Sequence, residues 1–209
     1  MKPVVITGTD TDIGKTVFAA GLTQALQAQY WKPVQAGLDG ETDSQTVARL
    51  SGAQTLPEAY RLIMPASPHL AAEAEDRQIA PANLDLPPTA GPLVIEAAGG
   101  LMVPLNRQTL FLDVIAAWQI PVILCARTAL GTINHSLLSL AALQQARCPI
   151  IGIAFIGTTN PAVERTICDF GAVTNLGCLP RLEPLTRETL TQAFATHIDL
   201  PTIRKGLLP

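Results

Sequence analysis

The sequence predicts an α/β fold in which helices cover both faces of a mostly parallel sheet. Short apolar, β-branched runs alternate along the chain with segments of helical periodicity, which is the pattern of repeated βα units. Several of these runs are apolar at consecutive positions, as strands covered on both faces must be. Hydrophobic residues make up 48% of the 209 residues and charged residues 15%, so a large core is available.

Predicted strands and helices follow one another from the N-terminus. Strands are predicted at 3–8, 30–37, 92–100, 121–127 and 150–157, with a short last one at 177–182. Helices are predicted at 15–29, 43–51, 111–118, 132–146, 161–170 and 186–196. The proline-rich segment 57–92 is weakly periodic, and we expect a long surface excursion over one edge of the sheet. We expect residues 1–209 to form a single domain without internal repeats.

Charge and composition argue against several classes of partner. The net charge is −3 and no stretch gathers lysines and arginines, so a basic nucleic-acid surface is not supported. The longest apolar runs, "PVILCA" and "IIGIAFIG", are far shorter than a membrane span. The four cysteines form no C-x-x-C pair and lie among apolar residues, which is typical of buried thiols in a reducing compartment. We therefore expect a cytoplasmic protein with no nucleic-acid or membrane partner.

The ligand crevice of such a sheet lies at the carboxyl ends of its strands, and the first strand ends in "GTDTDIGKT". Counted from Thr9, this stretch keeps the four residues of a phosphate loop before Gly14, and Gly8 then only ends the strand. A strand before the loop and a helix after it are the context that such a loop requires. Lys15 is suited to the β- and γ-phosphates and Thr16 to Mg²⁺. The sequence thus predicts a P-loop NTPase-like three-layer sandwich that binds a nucleotide.

Two aspartates in this loop have more than one interpretation. Asp10 and Asp12 would repel a triphosphate if they faced it. They are suited either to the turn and the helix cap or to facing a cationic second substrate, and the residues alone do not decide between these.

Charged residues also follow two later strands. Lys32 ends its strand just before Pro33, and its place at the carboxyl end of a strand beside a phosphate loop favours a catalytic cation over a solvated surface lysine. Glu96 ends the apolar strand "PLVIE" and is followed by small residues, as in the strand that supplies an acidic metal ligand to phosphate-loop enzymes. Asp43 is suited equally to capping its helix and to reaching Mg²⁺.

A second anion site is predicted where Gly131 and Thr132 open a helix. His135 follows in the first turn, where packing or hydrogen bonding is commoner than catalysis. No role for His69 follows from its proline-bounded surroundings.

Together these segments resemble the dethiobiotin synthetase family. The resemblance rests on "TGTDTDIGKT", "KPVQAG", the aspartate of "ETDSQ", "SPHLAA", "VIEAAGG", "PVILCARTALGTINH" and "GCLPRL", which span Val4 to Leu182. It implies an ATP- and Mg²⁺-dependent carboxylation of 7,8-diaminononanoate by CO₂. In that reaction a carbamate attacks the γ-phosphate, and the resulting carbamic–phosphoric anhydride closes to a cyclic urea. It also implies a homodimer with the substrate site at the interface.

The resemblance also implies roles for individual residues. The catalytic residues are Thr11, Lys15 and Lys32, and the metal ligands are Thr16, Asp43 and Glu96. The nucleotide-binding residues are Asp12, Ile13, Gly14, Lys15, Thr16, Val17, Asp43, Glu96, Ala97, Ala98, Gly99, Ile156, Gly157, Pro180, Arg181 and Leu182. The substrate-binding residues are Asp12, Lys32, Ala36, Gly131, Thr132, Ile133 and Asn134, the last four supplied by the partner subunit.

Three positions depart from the family pattern. Ala36 replaces a serine or threonine, which removes one hydroxyl contact to the substrate, and Ala97 replaces a frequent glycine. Ile156 and Gly157 stand where members often carry an asparagine that reads adenine. We therefore hypothesise relaxed base discrimination, with CTP or GTP competing with ATP. Two alternatives to the synthetase are a partition- or maturation-type ATPase switch and a nucleotide-binding homologue without catalysis.

Overall fold

A computed structural model of the chain describes residues 1–208, and Pro209, the last residue of the predicted domain, lies outside them. Its strands are β1 Val4–Gly8, β2 Gln29–Trp31, β3 Val34–Ala36, β4 Thr55–Leu56, β5 Tyr60–Leu62, β6 Leu93–Glu96, β7 Val122–Arg127, β8 Ile150–Ile156 and β9 Asn175–Leu179. Its α-helices are α1 Lys15–Leu26, α2 Asp43–Ser51, α3 Pro68–Glu73, α4 Phe111–Trp118, α5 Thr132–Gln145, α6 Pro161–Gly171, α7 Arg187–His197 and α8 Leu200–Gly206. A short 3₁₀ helix covers Pro81–Leu84.

Seven of these strands form one sheet in the order β4-β2-β6-β1-β7-β8-β9, and every neighbouring pair is parallel. Alternate residues of β1 face opposite layers, with Val4 and Ile6 in one apolar cluster and Val5 in the other. The first cluster includes residues of α1, α2, α7 and α8, and the second includes residues of α3, α4, α5 and α6. The predicted α/β class, with helices on both faces of a parallel sheet, is confirmed.

The predicted strand 30–37 is wrong as a single element. It breaks after β2, and β3 pairs with β5 in a separate two-stranded sheet. Pro33 lies at the break, where it has no N–H to donate to a sheet ladder. Lys32 consequently stands at the carboxyl end of β2, inside the molecule.

The segment 57–92 is more than a surface excursion, and the prediction was wrong in that respect. It contains β5, α3 and the 3₁₀ helix, and it buries Tyr60, Leu62, Ile79 and Leu84 in the core. The Tyr60 hydroxyl accepts hydrogen bonds from the Ala80 N–H (2.9 Å) and from Asn83 Nδ2 (2.8 Å). Each element is too short to show a period, which explains why the sequence pattern did not reveal it.

The cysteines agree in part with the expectation of buried thiols. All four cysteines are free, two of them buried (Cys125 and Cys148) and two half-buried (Cys168 and Cys178). Within residues 1–208 no helix combines the length and the apolarity needed to cross a bilayer.

Replacing Thr42 with alanine should lower the free energy of unfolding by about 1 kcal/mol. Thr42 is the N-cap of α2: its N–H donates to Gln45 Oε1 (2.8 Å) and its hydroxyl accepts the Gln45 N–H (3.4 Å). Thr186→Ala removes the equivalent cap of α7 and should cost a similar amount. Denaturant titration of both variants measures this, and Thr42→Ser should recover most of the loss. An unchanged unfolding midpoint for Thr42→Ala would contradict the assignment.

Candidate active site

The loop between β1 and α1 has the geometry of an anion cradle. Gly14 is the N-cap of α1 and adopts φ 97°, a left-handed conformation that favours glycine. A Cβ there would also lie 2.9 Å from Ile156 Cγ2. No side chain caps α1, so its first N–H groups remain for an anion.

Gly8 does more than end its strand, which corrects the sequence-based interpretation. A Cβ at Gly8 would lie 2.5 Å from Ile13 Cδ1 and 2.9 Å from Lys15 Cδ. Its missing side chain therefore gives the aliphatic stem of Lys15 a path through the loop. Lys15 Nζ donates to the Asp10 carbonyl oxygen at 2.6 Å. Burial lowers the pKa of Lys15, against the nearby Glu96 carboxylate, which raises it.

The three predicted metal ligands come together from three elements. The Thr16 hydroxyl, in the first turn of α1, lies 2.9 Å from Glu96 Oε1 and 3.1 Å from Asp43 Oδ1. Glu96 ends β6 and is buried, whereas Asp43 opens α2 and is half-buried. One hydroxyl and two carboxylates are hard oxygen donors, and Mg²⁺ is typically bound by one or two carboxylates, waters and substrate phosphates. The residues present fit such an ion.

Lys32 joins both of these carboxylates. Its Nζ lies 2.5 Å from Asp43 Oδ2 and 3.1 Å from Glu96 Oε1, and the side chain is 4% exposed. Burial works to lower the pKa of Lys32, but the two carboxylates outweigh it and the pKa is raised. Burial likewise works to raise the pKa of Asp43, but Lys32, the Thr16 hydroxyl and Lys15 together outweigh it and the pKa is lowered. Lys32 is thus a buried, protonated cation.

Two buried residues of the site escaped the sequence analysis. The Tyr30 hydroxyl donates to Glu96 Oε2 at 2.8 Å. Gln35 bridges β3 and α2: its Nε2 donates to the carbonyls of Ala36 (3.2 Å) and Gly37 (3.3 Å), and its Oε1 accepts the Asp43 N–H (3.2 Å). Both lie in strand-like stretches where the pattern suggested only packing.

A third residue, Arg127, fixes the conformation of the loop. Its Nη2 donates to Asp10 Oδ2 (3.1 Å) and to the Thr11 carbonyl (3.3 Å), and Asp10 Oδ1 accepts the Thr11 N–H (2.8 Å). Asp10 is therefore a turn residue. Asp12 is exposed with φ 54°, and since Gly14 is the N-cap of α1, the interpretation of Asp12 as a helix cap is wrong.

Two cavities open beside the loop, and Asp12 lines both. The first, of about 470 Å³, is lined by seven of the predicted site residues: Thr11, Asp12, Lys32, Ala36, Asp43, Ala98 and Gly99. The second, of about 310 Å³, is lined by predicted nucleotide residues: Asp12, Ile13, Gly14, Val17, Ile156, Pro180, Arg181 and Leu182. Gly157 follows Ile156 directly, and Ala97 is buried behind Glu96. The phosphate loop therefore borders both cavities.

The start of α5 lies outside both cavities. None of the residues Gly131–Asn134 lines either of them. Gly131 adopts φ 92° as the N-cap of α5, no side chain caps this helix, and the preceding Leu130 is fully exposed. His135 is exposed, and His69 Nδ1 has no hydrogen-bond partner within residues 1–208.

Comparison with solved structures gives the fold. The chain superposes on a ParA family ATPase from Chlorobium tepidum TLS with a TM-score of 0.58 at 10% identity, covering 99% of this chain and 98% of the other. The septum site-determining protein MinD from Pyrococcus horikoshii OT3, solved with Mg-ADP, gives 0.54 at 15% identity, covering 92% and 86%. A family model described as an AAA domain matches residues 2–189. The predicted P-loop NTPase-like sandwich is confirmed.

Curated relatives give the family, because each is named ATP-dependent dethiobiotin synthetase. The protein from Agrobacterium fabrum is 63% identical over 199 residues, which cover 94% of each chain. That from Rhodopseudomonas palustris is 62% identical over 94% of this chain and 95% of its own. That from Nitrobacter hamburgensis is 57% identical over 97% of each. Since identity of this level extends along nearly the whole chain, the protein belongs to the dethiobiotin synthetase family.

Proposed function

We propose that this protein is an ATP-dependent dethiobiotin synthetase that carboxylates 7,8-diaminononanoate and closes the ring of a cyclic urea. One observation carries the proposal: a buried ammonium, Lys32 Nζ, is held by Asp43 and Glu96 where a cavity meets the phosphate loop. A carbamate and a triphosphate are both anionic. A fixed cation between them offsets their repulsion and permits in-line attack.

The two cavities suit the two substrates. The diamine with its carbamate occupies the larger cavity, where the exposed carboxylate of Asp12 attracts an ammonium group. The nucleoside triphosphate occupies the smaller cavity, with its phosphates on the N-terminus of α1. Thr11 lies at the wall of the larger cavity, beside the loop that holds the phosphates.

The reaction proceeds in three steps. One amine adds to CO₂ and loses a proton, which forms a carbamate. A carbamate oxygen then attacks the γ-phosphorus, the bond from that phosphorus to its bridging oxygen breaks, and the nucleoside diphosphate leaves. Finally the second amine attacks the carbonyl carbon of the anhydride, the C–O bond breaks, a proton is lost and phosphate departs. Lys15 and Lys32 carry the positive charge that stabilises the phosphoryl group in the second step.

Thr16, Asp43 and Glu96 would hold Mg²⁺, which supplies further positive charge to the phosphates when bound. In the free protein Lys32 pairs with the same two carboxylates, so neither is left without a cationic partner. This arrangement gives Lys32 one role in the free enzyme and a second during the reaction.

A homodimer is part of the proposal. The uncapped N-terminus of α5 is suited to a substrate carboxylate but does not line the cavities of its own chain. A partner subunit that brings Gly131–Asn134 to the larger cavity would complete the site. We also propose a cytoplasmic location. The likeness to ParA and MinD, at 15% identity or less, concerns the fold and does not favour a partition-type switch.

The decisive assay contains purified protein, diaminononanoate, bicarbonate, Mg²⁺ and ATP. Product mass is followed together with phosphate release. Formation of dethiobiotin in step with phosphate supports the proposal. Phosphate release without dethiobiotin would favour a switch ATPase, and nucleotide binding with neither product would favour a homologue without catalysis.

Base discrimination should be weak, with kcat/KM for CTP or GTP within about a hundredfold of that for ATP, a difference of about 2.7 kcal/mol. Ile156 presents an apolar side chain to the smaller cavity. Gly157 has no side chain to read a base, its N–H donates to the Leu179 carbonyl (2.9 Å) and its carbonyl accepts from Cys178 Sγ (3.5 Å). Initial rates with each nucleotide measure the ratio.

An ATP preference above a hundredfold would sink this idea and would indicate a base contact elsewhere in the cavity. Introducing asparagine at position 157 is a poor control. Gly157 adopts φ 126°, and a Cβ there would lie 3.0 Å from Thr128 Oγ1.

A further inference from the structure

Tyr30 binds the oxygen of Glu96 that points away from the site. Glu96 Oε1 accepts from the Thr16 hydroxyl and from Lys32 Nζ, whereas Oε2 accepts from the Tyr30 hydroxyl. Within residues 1–208 no other donor reaches Oε2. Both Tyr30 (0% exposed) and Glu96 (1% exposed) are shielded from water, so water does not replace this hydrogen bond.

The strand register explains why these residues meet. Tyr30 of β2 is paired with Val94 of β6, so its side chain projects from the same face of the sheet as Val94 and Glu96. A residue two positions further along the neighbouring strand is within reach of a tyrosine. Lys32 projects from this face as well, since it follows Tyr30 by two.

We propose that Tyr30 is a positioning residue of the metal and phosphate site, an inference that rests on the proposed function. Its hydroxyl holds Oε2 of Glu96 in the core. Glu96 therefore presents only one oxygen, Oε1, to Thr16 and Lys32. Without that hydroxyl, a buried carboxylate oxygen has no donor, and Glu96 lowers its energy by rotating both oxygens toward the site. Such a carboxylate is no longer preorganised for one ligand position.

Nucleotide binding with and without Mg²⁺ tests the proposal. ADP affinity is measured calorimetrically in excess MgCl₂ and in EDTA for the wild type, Tyr30→Phe and Tyr60→Phe. Tyr30→Phe should lose about tenfold in affinity with MgCl₂ and should be unchanged in EDTA. Tyr60→Phe is the matched control, because it removes a buried hydroxyl that binds Ala80 and Asn83 instead.

The outcomes are distinct. Equal losses with MgCl₂ and in EDTA would indicate a merely structural role and overturn the proposal, as would an unchanged affinity. The proposal would also be overturned if Tyr60→Phe, like Tyr30→Phe, lost ADP affinity with MgCl₂ but not in EDTA. A wild type whose ADP affinity does not respond to Mg²⁺ would instead contradict the metal site of the proposed function and everything that rests on it.

A second measurement does not require Tyr30→Phe to fold. The chain has two tyrosines, so Tyr60→Phe grown with fluorotyrosine carries one fluorine label, at Tyr30. Its fluorine NMR resonance should shift when ADP is added with MgCl₂ and remain in place when ADP is added in EDTA. Identical responses under both conditions would overturn the proposal.

Discussion

Lys32→Met should lower kcat about a thousandfold, because the variant removes the cation that we propose to lie between carbamate and γ-phosphate. It also leaves Asp43 and Glu96 facing one another without their shared ammonium. The chain has four lysines, and Lys15 and Lys32 are buried whereas Lys2 and Lys205 are exposed. Formation of dethiobiotin at saturating substrates is the measurement, with far-ultraviolet circular dichroism as the check on folding.

Lys205→Met is the matched control, since it removes an exposed lysine from the end of α8 and should leave kcat unchanged. Lys32→Arg keeps the charge, but its planar guanidinium does not reproduce a compact ammonium between two carboxylates. We expect little recovery from it. A Lys32→Met enzyme that retained more than about a tenth of wild-type kcat would refute the role assigned to this residue.

Lys15→Ala should lower kcat/KM for the nucleotide by about two to three orders of magnitude. Lys15 Nζ reaches the Asp10 carbonyl across the loop, in the place where the phosphates of a nucleotide would lie. The loss should therefore fall on nucleotide affinity as well as on turnover. Calorimetric titration with ADP and steady-state rates with ATP separate the two contributions.

The contrast between the two lysines is itself informative. Lys32→Met should affect kcat far more than ADP affinity, because ADP lacks the γ-phosphate that Lys32 stabilises in the proposed reaction. If Lys15→Ala and Lys32→Met weakened ADP binding equally, Lys32 would be a phosphate ligand of the ground state rather than a group that acts during transfer.

The sequence revealed those parts of the site that depend on local order along the chain. Lys32 follows its strand directly and Glu96 ends one, and the carboxyl ends of parallel strands meet at one edge of the sheet. This rule brought those two together, whereas Lys15 was predicted from the phosphate loop that precedes α1. Thr16 was predicted as the next residue of that loop motif. For Asp43, which opens α2, the residues alone left capping and Mg²⁺ binding open, and the metal role followed from the family resemblance.

The residues that escaped depend on features that no single segment contains. Tyr30 reaches Glu96 only because of the register between β2 and β6, which joins residues far apart in the chain. Gln35 contacts Asp43 only because β3 leaves the main sheet and lies against the start of α2. The prediction of a single strand at 30–37 did not allow for either contact, because one continuous strand would have directed these side chains differently.

The break at Pro33 divides the enzyme into two parts with different freedom to change. Up to Lys32 the chain belongs to the main sheet, which carries the phosphate loop and Glu96. Beyond Pro33 it enters the small sheet with β5, and from there β3 and the start of α3 supply the opposite wall of the larger cavity. Under the proposed function, changes in this wall at positions other than Gln35, which binds the Asp43 N–H, can alter which amine-bearing chain fits while the phosphate-handling machinery stays as it is. The two-stranded sheet is therefore the natural region in which to redesign substrate length.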